Sequence, residues 1–310
     1  MKAVGVTGPD FMPRLFDIDE PTAAPDGVVV DVIAASVNEF DRAAVRGRYT
    51  RSMGQRDPVL LGRDFVGRVT AVGDEVDYID VGMYVAGTLA PQTQGQSGTF
   101  TEMVAAPAAF LAPVPDGIDV VQVAGVGLAG VTALDAIGAL GAAHLGNLVI
   151  HGPVSEVGGF ALQLARAHGA VVAVVTPAAQ ADLAWKLGAD VVIPEGANAT
   201  QSIRAVLDHF GGGVDSAIHV AGDLSVVAGV VRPGGRFTSV TETTAPVTCS
   251  GADYVPTIVA PSGHELADLL FKVAAQRLHS PVRCTMSFDQ IGDAVHLGSA
   301  NADGRVVLVR

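Results

Sequence analysis

Between Asn147 and Thr176 the chain reads NLVIHGPVSEVGGFALQLARAHGAVVAVVT, and this stretch restricts the fold more than any other. An aliphatic run, Leu148-Val149-Ile150, meets Gly152. A short loop then ends at Gly158, and a helix-period segment closes at Gly169 before Val171 to Val175. That is strand, glycine turn, helix, strand: a βαβ unit. Glycines in such a turn let the backbone approach a pyrophosphate, and the helix start offers unpaired N–H groups with a partial positive charge. The stretch therefore predicts a site for a nucleotide cofactor, with Gly152, Val154, Ser155, Glu156, Val157 and Gly158 as candidate contacts. The fingerprint calls for more glycine where this chain has Ser155 and Glu156. Glu156 either points away within the first helical turn, where an acid is locally favourable, or weakens anion binding. A βαβ unit that only packs is the other reading of the same residues.

A chain of 310 residues is long enough for two domains of ordinary size. Hydrophobic residues make up 49% and charged ones 16%, with 37 glycines, which suits an α/β protein whose buried strands are near-continuous aliphatic runs. The formal net charge of −13 repels phosphate backbones and argues against nucleic acid or an anionic membrane as partner. Two cysteines, Cys249 and Cys284, cannot build a disulfide framework and suit a reducing, cytoplasmic setting. The N-terminus, MKAVGVTGPDF, lacks the apolar core of a secretory signal. The longest apolar stretch, Val120 to Ala143, carries Asp135, Thr132 and five glycines, so a packed intradomain helix is expected there and not a membrane span.

Two textures divide the chain. Up to about Asp119, short strands are expected at Val28–Ile33, Gly67–Val72, Met83–Ala86 and Thr99–Ala105, punctuated by Gly, Pro and Asp, as in a compact, partly open β-barrel. From Val120, helices alternate with aliphatic strands: helix 178–187, strand 191–193, helix 201–210, then strands 214–220 and 236–240. The last 50 residues or so return to the first texture, with a helix at 264–276 and strands at 282–286 and 305–309. The expected domains are thus 1–119 with 261–310, and an inserted 120–260.

Several segments, in order, resemble the medium-chain dehydrogenase/reductase superfamily and most closely its zinc-independent quinone oxidoreductase branch. They are Ala35-Ser36-Val37-Asn38 with Asp41 and Arg46-Gly47-Arg48-Tyr49; Gly62-Arg63-Asp64-Phe65-Val66-Gly67-Arg68-Val69 with Ala71-Val72-Gly73; Gly98-Thr99-Phe100-Thr101-Glu102; and the closing Gly304-Arg305-Val306-Val307-Leu308. The resemblance implies a GroES-like barrel plus a doubly wound Rossmann domain, an NADP cofactor, a quinone or other carbonyl substrate and a homodimer. Zinc members place Cys and His ligands in the first domain, but residues 1 to 143 here contain neither. Asn38 stands where a ligand cysteine would be, and Arg63-Asp64 where a His-Glu pair would be. No metal is expected.

Hydride transfer without a metal needs close placement of donor and acceptor carbons and neutral groups that stabilise the developing oxyanion. This suits an acceptor that is already electron-poor, such as a quinone or enone. Asn38 and Tyr49 are the candidate donors, with Arg48 and Asp41 nearby; Asp41 has the further reading of a loop anchor for backbone N–H groups. Thr132 resembles the family threonine beside the nicotinamide, and a helix hydroxyl bonded to the preceding turn is its alternative. Strand ends supply Ala221, Gly222 and Val240 as further cofactor candidates. After the second strand, Thr176-Pro177-Ala178-Ala179-Gln180 holds no acid for ribose hydroxyls, which leans towards NADP. No Lys or Arg lies there either, so Thr176 and Gln180 would have to serve. The competing expectation is a family member whose degraded turn has turned it into a non-catalytic ligand- or partner-binding protein; enoyl reduction or slow alcohol oxidation is a third.

Overall fold

The computed structural model describes residues 1–8, 10–47, 58–89, 98–142, 145–244, 251–297 and 304–310. In chain order the elements are β1 (Lys2–Val6), β2 (Arg14–Asp17), β3 (Gly27–Ser36), α1 (Glu39–Val45), β4 (Val59–Leu60), β5 (Asp64–Val72), β6 (Tyr84–Thr88), β7 (Met103–Pro107), β8 (Leu111–Pro113), α2 (Val120–Ala124) and α3 (Gly127–Leu140). Then come β9 (Asn147–His151), α4 (Val157–Ala167), β10 (Val171–Thr176), α5 (Ala181–Lys186), β11 (Val191–Pro194), α6 (Ala199–Phe210), β12 (Val214–His219), α7 (Ser225–Val230), β13 (Val231–Ser239) and β14 (Asp253–Tyr254). The chain closes with α8 (Gly263–Ala274), β15 (Val282–Ser287), α9 (Ile291–His296) and β16 (Arg305–Val309). It divides into two compact units: Met1–Val131 with the described residues from Pro261 onward, and Thr132–Ala260.

The first unit is built on β3. Its run GVVVDVIAAS is buried almost throughout: its edges pair antiparallel with β5, β7 and β16, and α2 and the core residues around Val30 and Val32 pack against it. The path β15-β16-β3-β5-β6-β8 does not close among the described residues, and β2-β1-β4 forms a separate small sheet. Val30, Val32, Phe65, Leu61, Phe100 and Leu308 are central to its core. The tail strand β16 pairs with both β3 and β15, so the last residues complete the sheet that the first hundred begin.

Two expectations are corrected here. The strand expected over Thr99–Ala105 starts at Met103. Phe100 is taken up by β1 and the Leu61 turn, its carbonyl accepting Val4 N at 2.7 Å and its N–H donating to Leu61 O at 3.1 Å. The single helix expected over 120–143 is two, α2 and α3, broken at Gly125-Val126. A side chain at Gly125 would overlap the buried Arg305 stem. Because α2 packs on β3, β5, β15 and β16, residues 120–131 group with the first compact unit, and the contact-based division falls within α3.

The second unit is a six-stranded sheet in the order β11-β10-β9-β12-β13-β14, parallel at every pairing. Leu148, Val149, Ile150, Val172 and Val174 are fully buried, as strands covered on both faces require. One face packs Val149, Val175 and Ala217 against Val206 of α6 and Val227 of α7. The connections reverse direction between β9 and β12, and it is outside the carboxyl ends of such strands that open parallel sheets bind ligands.

Candidate functional site

At the carboxyl edge of the second sheet, β9 ends in His151, β12 ends in His219, and the two rings lie 5.8 Å apart. Both are buried, and burial pushes both below the ordinary histidine value, His219 to about 4. They are therefore neutral at physiological pH. A carboxylate only accepts, so His151 Nε2–H donates to Glu195 Oε1 at 3.2 Å, and the buried Nδ1 is left as an acceptor with no partner. His219 Nε2–H donates to Gly222 O at 3.3 Å.

The loops at this edge approach one another closely. Gly152 adopts φ 126°, and a Cβ there would stand 2.7 Å from Ala221 N. Gly222, at φ 95°, lies over the His151–Glu195 pair, where a Cβ would meet His151 Cε1 at 3.0 Å and Glu195 Oε1 at 3.3 Å. Val220 N and Val240 N continue the pairing, donating to His151 O at 2.8 Å and to His219 O at 3.0 Å.

The turn after β9 is tight. Glu156 is the N-cap of α4, and its carbonyl accepts Gly159 N at 3.1 Å and Phe160 N at 3.3 Å. The amides of Val157 and Gly158 sit in the first turn, where a helix has no carbonyl of its own to offer them. Ser155 is buried, and Glu156 is half-buried. Gln180 reaches in from the short 3₁₀ turn after β10: its Oε1 accepts Val154 N at 2.7 Å and its Nε2 donates to Ser155 Oγ at 3.4 Å. Thr176 and Gln180 are both 0% exposed, so neither presents a surface group to a ribose phosphate. These are the two side chains that would have had to serve a 2′-phosphate in place of the missing Lys or Arg.

The first unit holds a buried polar cluster. Asp64 accepts Ser36 N at 3.0 Å, Ser36 Oγ at 2.9 Å and Asn38 Nδ2 at 3.2 Å. Asn38 is 3% exposed and spends its amide donors on Asp64 and on Ser36 O at 3.1 Å, so it does not stand ready to polarise a carbonyl. Asp41 receives Asn38 N at 2.8 Å and Gly62 N at 2.7 Å, the geometry of a loop anchor. Burial lifts each carboxyl to about 6, against the pull of Arg305 and the Asn38 and Ser36 donors on Asp64, and of the Asn38 and Gly62 amides and Arg63 on Asp41. The Arg63 guanidinium carbon lies 3.7 Å from the centre of the Phe40 ring. An amide with its donors committed and a stacked cation do not make a zinc donor set. Among the described residues, no group of three or more His, Cys, Asp or Glu could hold a metal ion.

The fold thus gathers Gly152, Val154, Ser155, Glu156, Val157, Gly158, Thr176, Ala221, Gly222 and Val240 around the carboxyl edge of one sheet. Asn38 and Asp41 belong to the buried cluster of the first unit, and Thr132 is buried on α3. Tyr49, Arg48 and Cys249 lie outside the described residues. Sequence reasoning missed His151, His219 and Glu195, although each closes or follows an aliphatic run (LVIH, SAIH, VVIPE), and a polar residue ending such a run at a carboxyl edge was the available signal. No helix among the described residues is long and apolar enough to cross a membrane.

Comparison with known proteins agrees with this architecture. Residues 24–116 match the alcohol dehydrogenase GroES-like domain, and residues 157–258 match the zinc-binding dehydrogenase family. A trans-enoyl reductase from Aspergillus terreus, pgmF, is 31% identical over 54% of this chain and 49% of its own length, so the chain spans about half of that relative. The chloroplastic NADPH-dependent alkenal/one oxidoreductase of Arabidopsis thaliana is 26% identical over 97% of this chain and 76% of its own length. The crystal structure of an alcohol dehydrogenase superfamily protein from Novosphingobium aromaticivorans superposes with a TM-score of 0.85 at 25% identity, covering 100% of this chain and 99% of that one. With both domain families matched in order and the whole fold reproduced, the chain belongs to the medium-chain dehydrogenase/reductase superfamily.

Proposed function

We propose that the chain is a zinc-independent reductase of quinones or other activated carbonyls and enones, using a reduced nicotinamide dinucleotide. The observation that carries this reading is the donor set around Asn38, Arg63 and Asp64, which suits no zinc ion in a superfamily whose members are oxidoreductases. Without a Lewis acid, a carbonyl must already be electron-poor to be reduced. The fit of the dinucleotide rests on the close glycine approaches at Gly152 and Gly158 and on the first-turn amides of α4. Val157 and Gly158 would hold the pyrophosphate, and Ala221, Gly222 and Val240 would border the rest of the cofactor. When bound, the nicotinamide supplies the hydride. The chain's own part is placement and exclusion of water. Asp41 fixes the start of α1 and the Gly62 turn through two backbone amides, and Asp64 holds Asn38 in one rotamer. Pairing of two copies through the second unit, as the resemblance implies, is supported by the edge position of β14, and sedimentation would test it.

The test is oxidation of NADH and NADPH with a panel of quinones, enones and primary alcohols. Turnover with quinones or enones well above that with alcohols is expected; preference for alcohols would overturn the reading. A second reading, a non-catalytic ligand- or partner-binding protein, is favoured by the capture of Val154 N–H by Gln180 and by Ser155 and Glu156 in the turn. Its signature is the absence of binding to either cofactor at about millimolar concentration.

A further inference from the structure

The carboxylate that sequence reading finds missing after β10 is delivered by the neighbouring strand. Thr176, the last residue of β10, is in register with Pro194, and Glu195 follows, its N–H donating to Thr176 O at 2.9 Å. The order β11-β10-β9 places β10 between Glu195 and His151, yet Glu195 Oε1 lies 3.2 Å from His151 Nε2. The Glu195 side chain therefore spans the carboxyl end of β10, where dinucleotide sites of this fold place their ribose-binding acid. It is 36% exposed, so one end is held by a buried imidazole while the rest faces solvent. Beside it, Thr176 Oγ1 is fully buried and without a partner.

Among the described residues, His151 is the ion-pair partner of this acid and no Lys or Arg pairs with it. Neither 176–185 nor 194–203 contains Lys or Arg; Lys186 closes α5, and Arg204 on α6 is paired with Asp208. Gln180, the polar side chain of the 3₁₀ turn after β10, is turned inward to Val154 and Ser155.

We propose that Glu195, oriented by His151, is the specificity-determining residue of the cofactor site and selects NAD(H) over NADP(H). A free ribose hydroxyl donates to the carboxylate; a 2′-phosphate brings like charge against it, with no Lys or Arg in the flanking segments 176–185 and 194–203 to relieve the repulsion. The assignment rests on the proposed dinucleotide-dependent function.

Titration calorimetry with NADH, NADPH, 5′-AMP and adenosine 2′,5′-bisphosphate tests it, the two fragments reporting the ribose end without any nicotinamide chemistry. In the unmodified chain, NADH and 5′-AMP should bind at least about tenfold more tightly than their 2′-phosphorylated counterparts. Glu195→Gln should reduce that ratio to below about threefold, Glu195→Lys should invert it, and His151→Gln should narrow it by releasing the carboxylate, with thermal unfolding confirming that each variant is folded. Equal or tighter binding of NADPH by the unmodified chain, or an unchanged ratio in Glu195→Gln, overturns the selectivity while leaving the reductase reading intact. Failure of all four probes to bind overturns both.

Discussion

His219 Nδ1 lies 2.9 Å from Ser239 Oγ, and the carbonyl on the other side of the ring fixes its tautomer. Gly222 O can only accept, so Nδ1 is left as the acceptor for the hydroxyl of Ser239 or of Thr241, 3.4 Å away, while Ser239 Oγ also accepts N–H from Thr241 at 3.2 Å and from Glu242 at 2.9 Å. Nε2 keeps the proton and gives it to Gly222 O. The neutral ring is the form this network requires, in accord with a value pushed down to about 4 by burial. The unfolded chain takes up the proton near pH 6.5, so between 6.5 and 4 it binds more protons than the folded one, and stability falls as pH drops. The full effect of His219 is about 3 kcal/mol. Urea unfolding at pH 7 and pH 4.5 should show His219→Gln losing clearly less stability than the unmodified chain; equal losses would contradict the assignment.

Asp64 works in the opposite sense over an overlapping window. Its folded value of about 6 is above its ordinary value of 3.8, so the folded chain binds the extra proton between those limits. The cost of holding the buried carboxylate is absent below pH 3.8 and complete above 6, on the order of 3 kcal/mol. Relative to the unmodified chain, Asp64→Asn should therefore gain ground in denaturant unfolding as pH rises from about 4 to about 6, then run parallel.

Gly158 is required by space and not by backbone angle. A Cβ there would be driven into Pro153 O within its own turn. Gly158→Ala should lower unfolding stability by about 1–3 kcal/mol. It should also abolish dinucleotide binding in the same calorimetric titration; unaltered binding would mean that the turn is not the pyrophosphate site.

Gln180 supplies the buried acceptor for Val154 N–H. Replacing it with Leu fills the volume but strands that donor, a loss of about 1–3 kcal/mol. Thermal unfolding of Gln180→Leu beside Gln180→Glu, which keeps an acceptor, would separate the lost hydrogen bond from packing.

The second unit was readable from the chain because its strands are aliphatic and its turns are marked by glycine. Leu148-Val149-Ile150 followed by Gly152 admits few alternatives once burial on both faces is required. The first unit was harder. Phe100 looked like the interior of a strand, but its backbone pairs with Val4 and Leu61, about 96 and 39 residues away in the chain, and no local pattern reports such distant partners. The break at Gly125 was invisible for the same reason, since the group that forbids a side chain there is Arg305 at the other end of the sequence. At the candidate site, the glycine turn was legible, whereas the reach of Glu195 past β10 depends on strand order, which emerges only when the sheet is assembled.

The imidazole of His219 also has a mechanical consequence. Through Gly222 O it grips the segment that follows β12, and through Ser239 Oγ the segment that follows β13, so neither can swing away alone without stranding a polar atom in the interior. The two segments are tethered to a single post, so a displacement of either one breaks a hydrogen bond to the same ring.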